Sequence, residues 1–175
     1  MNFSYALLLF LDSSPGATNA PISSLGISGY ELILLVNYKI PVDGHLVAWQ
    51  YYIGHKTRAC ESYVAIWRES GSTFTRIAET RLTPENPQNG GVRFQYVQNS
   101  TNIVHKDDFI AYYVGESTNC DGHLISARNR NPDDPPARIY NGVDRFTKPS
   151  SIPTALSSVQ YTQKKGVALK AYIAG

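Results

Sequence analysis

Cysteine is scarce in this chain: two residues, Cys60 and Cys120, in 175. Neither belongs to a CxxC pair and no histidine stands at a zinc-like spacing from them, which points away from a structural zinc site. They suit a disulfide in an oxidising compartment, where closing so long a loop is worth roughly 4 kcal/mol in the chain-entropy model. Two buried thiols are the alternative. Charge is scarce as well. Only 17% of residues are charged, the net charge is +2, and no run of Lys or Arg tracks a groove, so nucleic acid is not an expected partner. The N-terminal apolar run Tyr5–Leu11 is too short to span a bilayer.

Chemical signatures are missing too. The histidines His45, His55, His105 and His123 form neither HExxH nor HxH, and the chain has no GxSxG elbow and no Gly-rich phosphate loop. The carboxylates Glu61, Glu69 and Glu79 make no pattern expected of a glycosidase pair. The expectation is a protein that is not an enzyme and carries no cofactor.

What the chain does have is 12 Tyr, 13 Gly and 10 Pro beside many Val, Ile and Thr. Those residues favour pleated, half-buried strands broken by tight turns. Strand-like runs recur at short spacing: Tyr30–Ile40, His45–Ile53, Ser62–Arg68, Thr73–Leu82, Val92–Val97, Phe109–Tyr113, His123–Ala127 and Gly166–Ala174. In His45–Ile53, Val47, Trp49, Tyr51 and Ile53 form an apolar face expected to be core, and Trp67 is expected to be core as well. Pro41–Gly44 reads as a turn whose Gly44 supplies positive φ. The blurred alternation of Thr73–Leu82 suits a sheet edge. The fold class expected is all-β, a single-domain, jelly-roll-like β-sandwich of about eight to ten strands. It would occupy residues 22–175, with residues 1–21 a signal peptide or an N-terminal strand or arm. Asn99-Ser100-Thr101 is an N-glycosylation sequon in a polar turn, and with the two cysteines it leans towards a secreted, extracellular glycoprotein.

Three segments carry a resemblance. Ile40-Pro41-Val42-Asp43-Gly44 leading to Trp49-Gln50-Tyr51-Tyr52, then Val64–Arg68, then Lys106-Asp107-Asp108-Phe109-Ile110 resemble an orphan domain type of secreted proteins from aquatic invertebrates. The last segment is also similar to the turn and buried strand near the end of jelly rolls of the C1q and tumour-necrosis-factor type. There a Gly-Asp commonly enters the strand; here Asp107 stands in place of the Gly. The resemblance covers about Tyr30–Gly115. It implies an extracellular β-sandwich and no chemistry.

Candidate binding residues cluster in the polar, Pro-rich stretch Arg128–Phe146, where only Ala137–Tyr140 resembles a strand. Arg128, Arg130, Arg138, Tyr140, Asn141 and Arg145 have the composition of a protein interface or a sugar platform. No metal is expected; Asp133 and Asp134 are the residues that could offer ligands to Ca²⁺, without EF-hand spacing. Asp107-Asp108 reads as a solvated turn capping its own amides. The function expected is an adhesion, matrix or fibre-assembly module whose partners are copies of itself or other extracellular proteins. A carbohydrate-binding module, with glycan partners and with or without Ca²⁺, is the alternative.

Overall fold

The structure is a computed structural model and describes residues 9–10, 31–53, 61–86, 88–98, 103–114, 125, 127–129, 136–141, 155–156, 161–167 and 169–175. Among the described residues every regular element is a strand, so the all-β expectation holds. In chain order these are β1 (Leu9–Phe10), β2 (Glu31–Lys39), β3 (Gly44–Ile53), β4 (Ser62–Ser70), β5 (Thr73–Arg81), β6 (Gly91–Tyr96) and β7 (Ile103–Val104). They continue as β8 (Phe109–Val114), β9 (Ala127–Asn129), β10 (Pro136–Asn141), β11 (Ala155–Leu156), β12 (Tyr161–Val167) and β13 (Leu169–Ala174).

They pair into two antiparallel sheets. The smaller runs β1-β13-β3-β6, with β7 extending the β6 side of β3; the larger runs β11-β5-β4-β8-β2-β10-β12-β9. One core cluster takes Ile33, Leu35, Val64, Ile66, Ile110 and Tyr112 from the larger sheet and Leu46, Trp49, Tyr51, Ile53, Leu169 and Ile173 from the smaller. The Trp49 Nε1–H also donates to Thr80 Oγ1 at 3.0 Å, joining β3 to β5. Trp49 and Trp67 are both fully buried, as their positions in the sequence lead one to expect.

Strands β2, β4 and β8 lie inside the larger sheet with strands on either side, and their side chains are buried on both faces. Their other face forms a second cluster of Leu32, Leu34, Tyr63, Trp67, Phe109 and Tyr113, in which Tyr63 and Tyr113 stack at 5.0 Å. Such double-sided burial accounts for near-continuous apolar runs such as Leu32–Leu35, which show no alternation to read.

Two bulges shift the faces expected from alternation. Between β13 and β3 the register passes from Tyr172↔Ala48 to Ile173↔Leu46, which leaves Val47 as an extra residue on β3. Leu46 therefore joins Trp49, Tyr51 and Ile53 in the core, and Val47, expected there, is only half-buried. On β5 the register skips Ile77 opposite β4, and this bulge blurs the alternation of that strand.

Gly44 is a correction. Its φ is not positive; it is needed because a Cβ there would lie 2.3 Å from the Ala174 carbonyl oxygen and 2.8 Å from Ile173 Cγ2. Asp107 does adopt positive φ, at 72°, as do Asn86, Gly71 and Gly91 among the described residues.

Candidate interaction surface

The antiparallel register of the smaller sheet sets which residues face outward. Trp49 and Tyr51 point into the core, so their neighbours Ala48, Gln50 and Tyr52 point away from it. Opposite these lie Tyr96, Phe94 and Val92 on β6, and opposite Ala48 and Gln50 lie Tyr172 and Lys170 on β13. The outward face is consequently aromatic. Val92 is 52% exposed, Phe94 46% and Tyr96 73%, at three successive outward positions of a strand that ends the sheet. Phe94 meets Tyr96 edge-on at 5.0 Å, and across β3 it meets Tyr172 in the same way at 5.0 Å. Ala48 is small enough to let the rings close over it and is itself buried. The Tyr172 hydroxyl donates to Gln50 Oε1, fixing that ring on the sheet.

Beside Phe94 a shallow pocket of about 220 Å³ is lined by Tyr51, Glu85, Arg93 and Gln95, among others. Much of its hydrogen-bonding capacity is satisfied within the protein. Gln95 Oε1 accepts from the Thr83 backbone N–H at 2.9 Å and from the Tyr51 hydroxyl at 3.4 Å, and Gln95 Nε2 donates to the Arg81 carbonyl at 2.8 Å. Arg93 Nη1 donates to the Val92 carbonyl at 3.0 Å and Nη2 to the Asn89 carbonyl. Burial pushes the Tyr51 phenol up to about 12, against the opposing pull of Arg93. This is a braced wall more than a site poised for chemistry.

The residues singled out from sequence fall elsewhere. Arg138, Tyr140 and Asn141 belong to β10, whose backbone pairs with β2 on one side (Arg138↔Leu34, Tyr140↔Leu32, Asn141↔Glu31) and β12 on the other (Arg138↔Thr162). Arg128 sits on β9, opposite Gly166 of β12. Part of the supposed loop is thus interior sheet. Arg130, Arg145, Asp133, Asp134, Asn99, Cys60 and Cys120 lie outside the described residues.

Asp108 corrects the solvated-turn reading. Its side chain is 2% exposed and takes two hydrogen bonds of 2.8 Å from Arg68, plus the His105 backbone N–H at 2.7 Å. Asp107 beside it does face solvent, 3.8 Å from Lys39. The aromatic stripe on β6 was not singled out, although its signal is present. Val92, Phe94 and Tyr96 alternate with Arg93 and Gln95, but alternation alone does not say which face meets water. Compared with protein-family models, with curated proteins and with solved structures, the chain matches none of them.

Proposed function

We propose that the chain is a non-enzymatic extracellular module for adhesion, matrix or fibre assembly, working through protein–protein contacts made by the outward face of the β1-β13-β3-β6 sheet. The observation that carries this reading is the exposed row of Val92, Phe94 and Tyr96. Contiguous exposed apolar surface marks interaction sites, and Tyr and Phe are enriched at the centres of such contacts. On this reading the two sheets form a jelly-roll-like sandwich. Strand order supports it: β2, β8, β4 and β5 are neighbours in one sheet and β13, β3 and β6 in the other, and the chain changes sheet between β2 and β3, β3 and β4, β5 and β6, and β7 and β8. Secretion rests on the sequon at Asn99, the Cys60–Cys120 pair and the N-terminal apolar run. The internally bonded polar wall next to Phe94 favours a protein contact over a sugar, which needs convergent polar groups at hand.

The test uses beads coated with the protein and measures their clustering and their retention on extracellular-matrix preparations. Phe94→Ser with Tyr96→Ser is expected to reduce both at least tenfold while leaving the fold intact by circular dichroism. Undiminished clustering and retention would overturn the reading. Glycan-array binding that disappears in the same variant would replace it with the carbohydrate-binding alternative.

A further inference from the structure

Strand β6 ends its sheet, and its backbone says which groups face outward. The Val97 N–H donates to the Val47 carbonyl at 2.9 Å, so along this ladder odd-numbered residues bond to β3 and the N–H and C=O groups of Val92, Phe94 and Tyr96 point to the open side. Among the described residues no strand lies beyond β6. Edges of this kind are commonly blunted by lysine, proline or charge. Residues 91–98 contain no Lys, Pro, Asp or Glu, and their single charge, Arg93, is turned onto the backbone carbonyls of Val92 and Asn89.

We infer that β6 pairs antiparallel with β6 of a second copy of this chain about a two-fold axis, Phe94 of each opposite Tyr96 of the other. This rests on the contact reading of the same face and names its partner. Register follows from the edge groups. With Phe94 opposite Tyr96, the free N–H and C=O of both residues exchange hydrogen bonds in each half, and the Val92 carbonyl, opposite Gln98 beyond the end of β6, keeps its bond from Arg93. Centring the pair on Phe94 opposite Phe94 would instead oppose Val92 to Tyr96 and displace Arg93 from that carbonyl. The chosen register sets Gln95 opposite Gln95, so the two Arg93 charges are not paired. It also places an aromatic pair across the junction, the favoured kind of cross-strand neighbour. The outward stripes of the two copies then run on as one surface. The contact is isologous and closes as a dimer.

Sedimentation equilibrium and amide exchange of the full-length chain over a range of concentrations test this. The mass is expected to rise towards two copies, with exchange at the Phe94 and Tyr96 amides slowing at least tenfold in parallel. A mixture of labelled and unlabelled protein is expected to show a Gln95 Hα to Gln95 Hα contact between copies. Tyr96→Pro removes an outward N–H that no described residue accepts, and should give a monomer. Tyr96→Ala keeps that N–H and should retain exchange protection at Phe94. A monomer at every concentration, a dimer without protection at Phe94 and Tyr96, or equal loss in both Tyr96 variants would overturn the edge pairing. Bead clustering or matrix retention that persists in any of these cases leaves the broader contact reading standing; its loss in the serine double variant decides that reading separately.

Discussion

Asp108, at the entrance of β8, holds Arg68 of β4 through two hydrogen bonds of 2.8 Å, one from Nε and one from Nη2. The same turn is tied to the β2–β3 connection, for Ile40 N–H donates to the Asp108 carbonyl and Asp107 N–H to the Ile40 carbonyl, each at 2.8 Å. Lys106 N–H donates to Asp43 Oδ1 at 2.7 Å. Three chain segments meet around Asp108, two of them at its buried carboxylate and the third at its backbone.

Asp108→Ala is therefore expected to lower stability by about 3 kcal/mol, because it leaves the Arg68 guanidinium without its counter-charge and the His105 N–H without its acceptor. Urea unfolding of the two proteins measures this. An equal midpoint would show that the turn holds without the ion pair.

The two tryptophans should respond differently to phenylalanine. Trp49 Nε1–H has Thr80 as its acceptor, whereas the Trp67 indole N–H is buried with no hydrogen-bond partner among the described residues. Trp49→Phe loses a bond and a ring; Trp67→Phe loses a ring but relieves an unsatisfied donor, a difference of about 1 kcal/mol or more in favour of Trp67→Phe. Either residue changed to Ala should cost about 3–5 kcal/mol. Thermal unfolding of the variants ranks them.

Gly44→Ala should destabilise by about 1–3 kcal/mol, since the new methyl group meets the β13 backbone and cannot be accommodated by rotating a side chain. A melting temperature equal to that of the parent would contradict the close approach of Gly44 to Ala174.

Asp107→Gly tests the opposite case. Glycine adopts the left-handed conformation without the penalty of about 1 kcal/mol that a Cβ brings, and the Lys39 contact given up is exposed. The variant should be as stable as the parent or up to about 1 kcal/mol more stable. Clear destabilisation would mean that the Lys39 pair matters more than the backbone.

Alkaline pH should unfold the protein over a definite window. Burial raises the Tyr51 phenol to about 12, and burial together with the hydrogen bond to Glu61 raises Tyr63 to about 12, both from an ordinary value of 10.0. Above pH 10 the unfolded chain releases these protons and the folded one retains them, so stability falls as pH rises from about 10 to about 12. Burial raises the Tyr113 phenol further in the same direction. Denaturant midpoints followed alongside phenolate absorbance check this; a midpoint that stays level across the window would contradict it.

Composition and alternation made the strand class and several strands legible. Val167, Leu169, Ala171 and Ile173 alternate in the sequence, and all four are core. The turn at Asp107-Asp108 ahead of Phe109 was equally plain. Val47 was misassigned because a bulge adds one residue to a strand without changing its composition. Asp108 does cap an amide of its own turn, that of His105, but it was misread as solvated because a capping aspartate looks the same whether or not it also receives an arginine from 40 residues away. The outward stripe on β6 was hidden for a related reason: a strand with one apolar face reads identically whether that face meets a core or a partner. Arg138 and Tyr140 drew attention by their chemistry, yet their backbone belongs to a strand paired on both sides.

The doubly apolar β2 has a consequence for how the chain reaches this state. Its neighbours are β8 and β10, which follow some 70 and 100 residues later in the chain. During synthesis Leu32–Leu35 has no sheet to enter until Phe109–Val114 has emerged, so folding must wait for distant pairings and should be slow. For that interval the segment is a sticky, unsheltered stretch of nascent polypeptide, and it is there that a chaperone would have the most to hold.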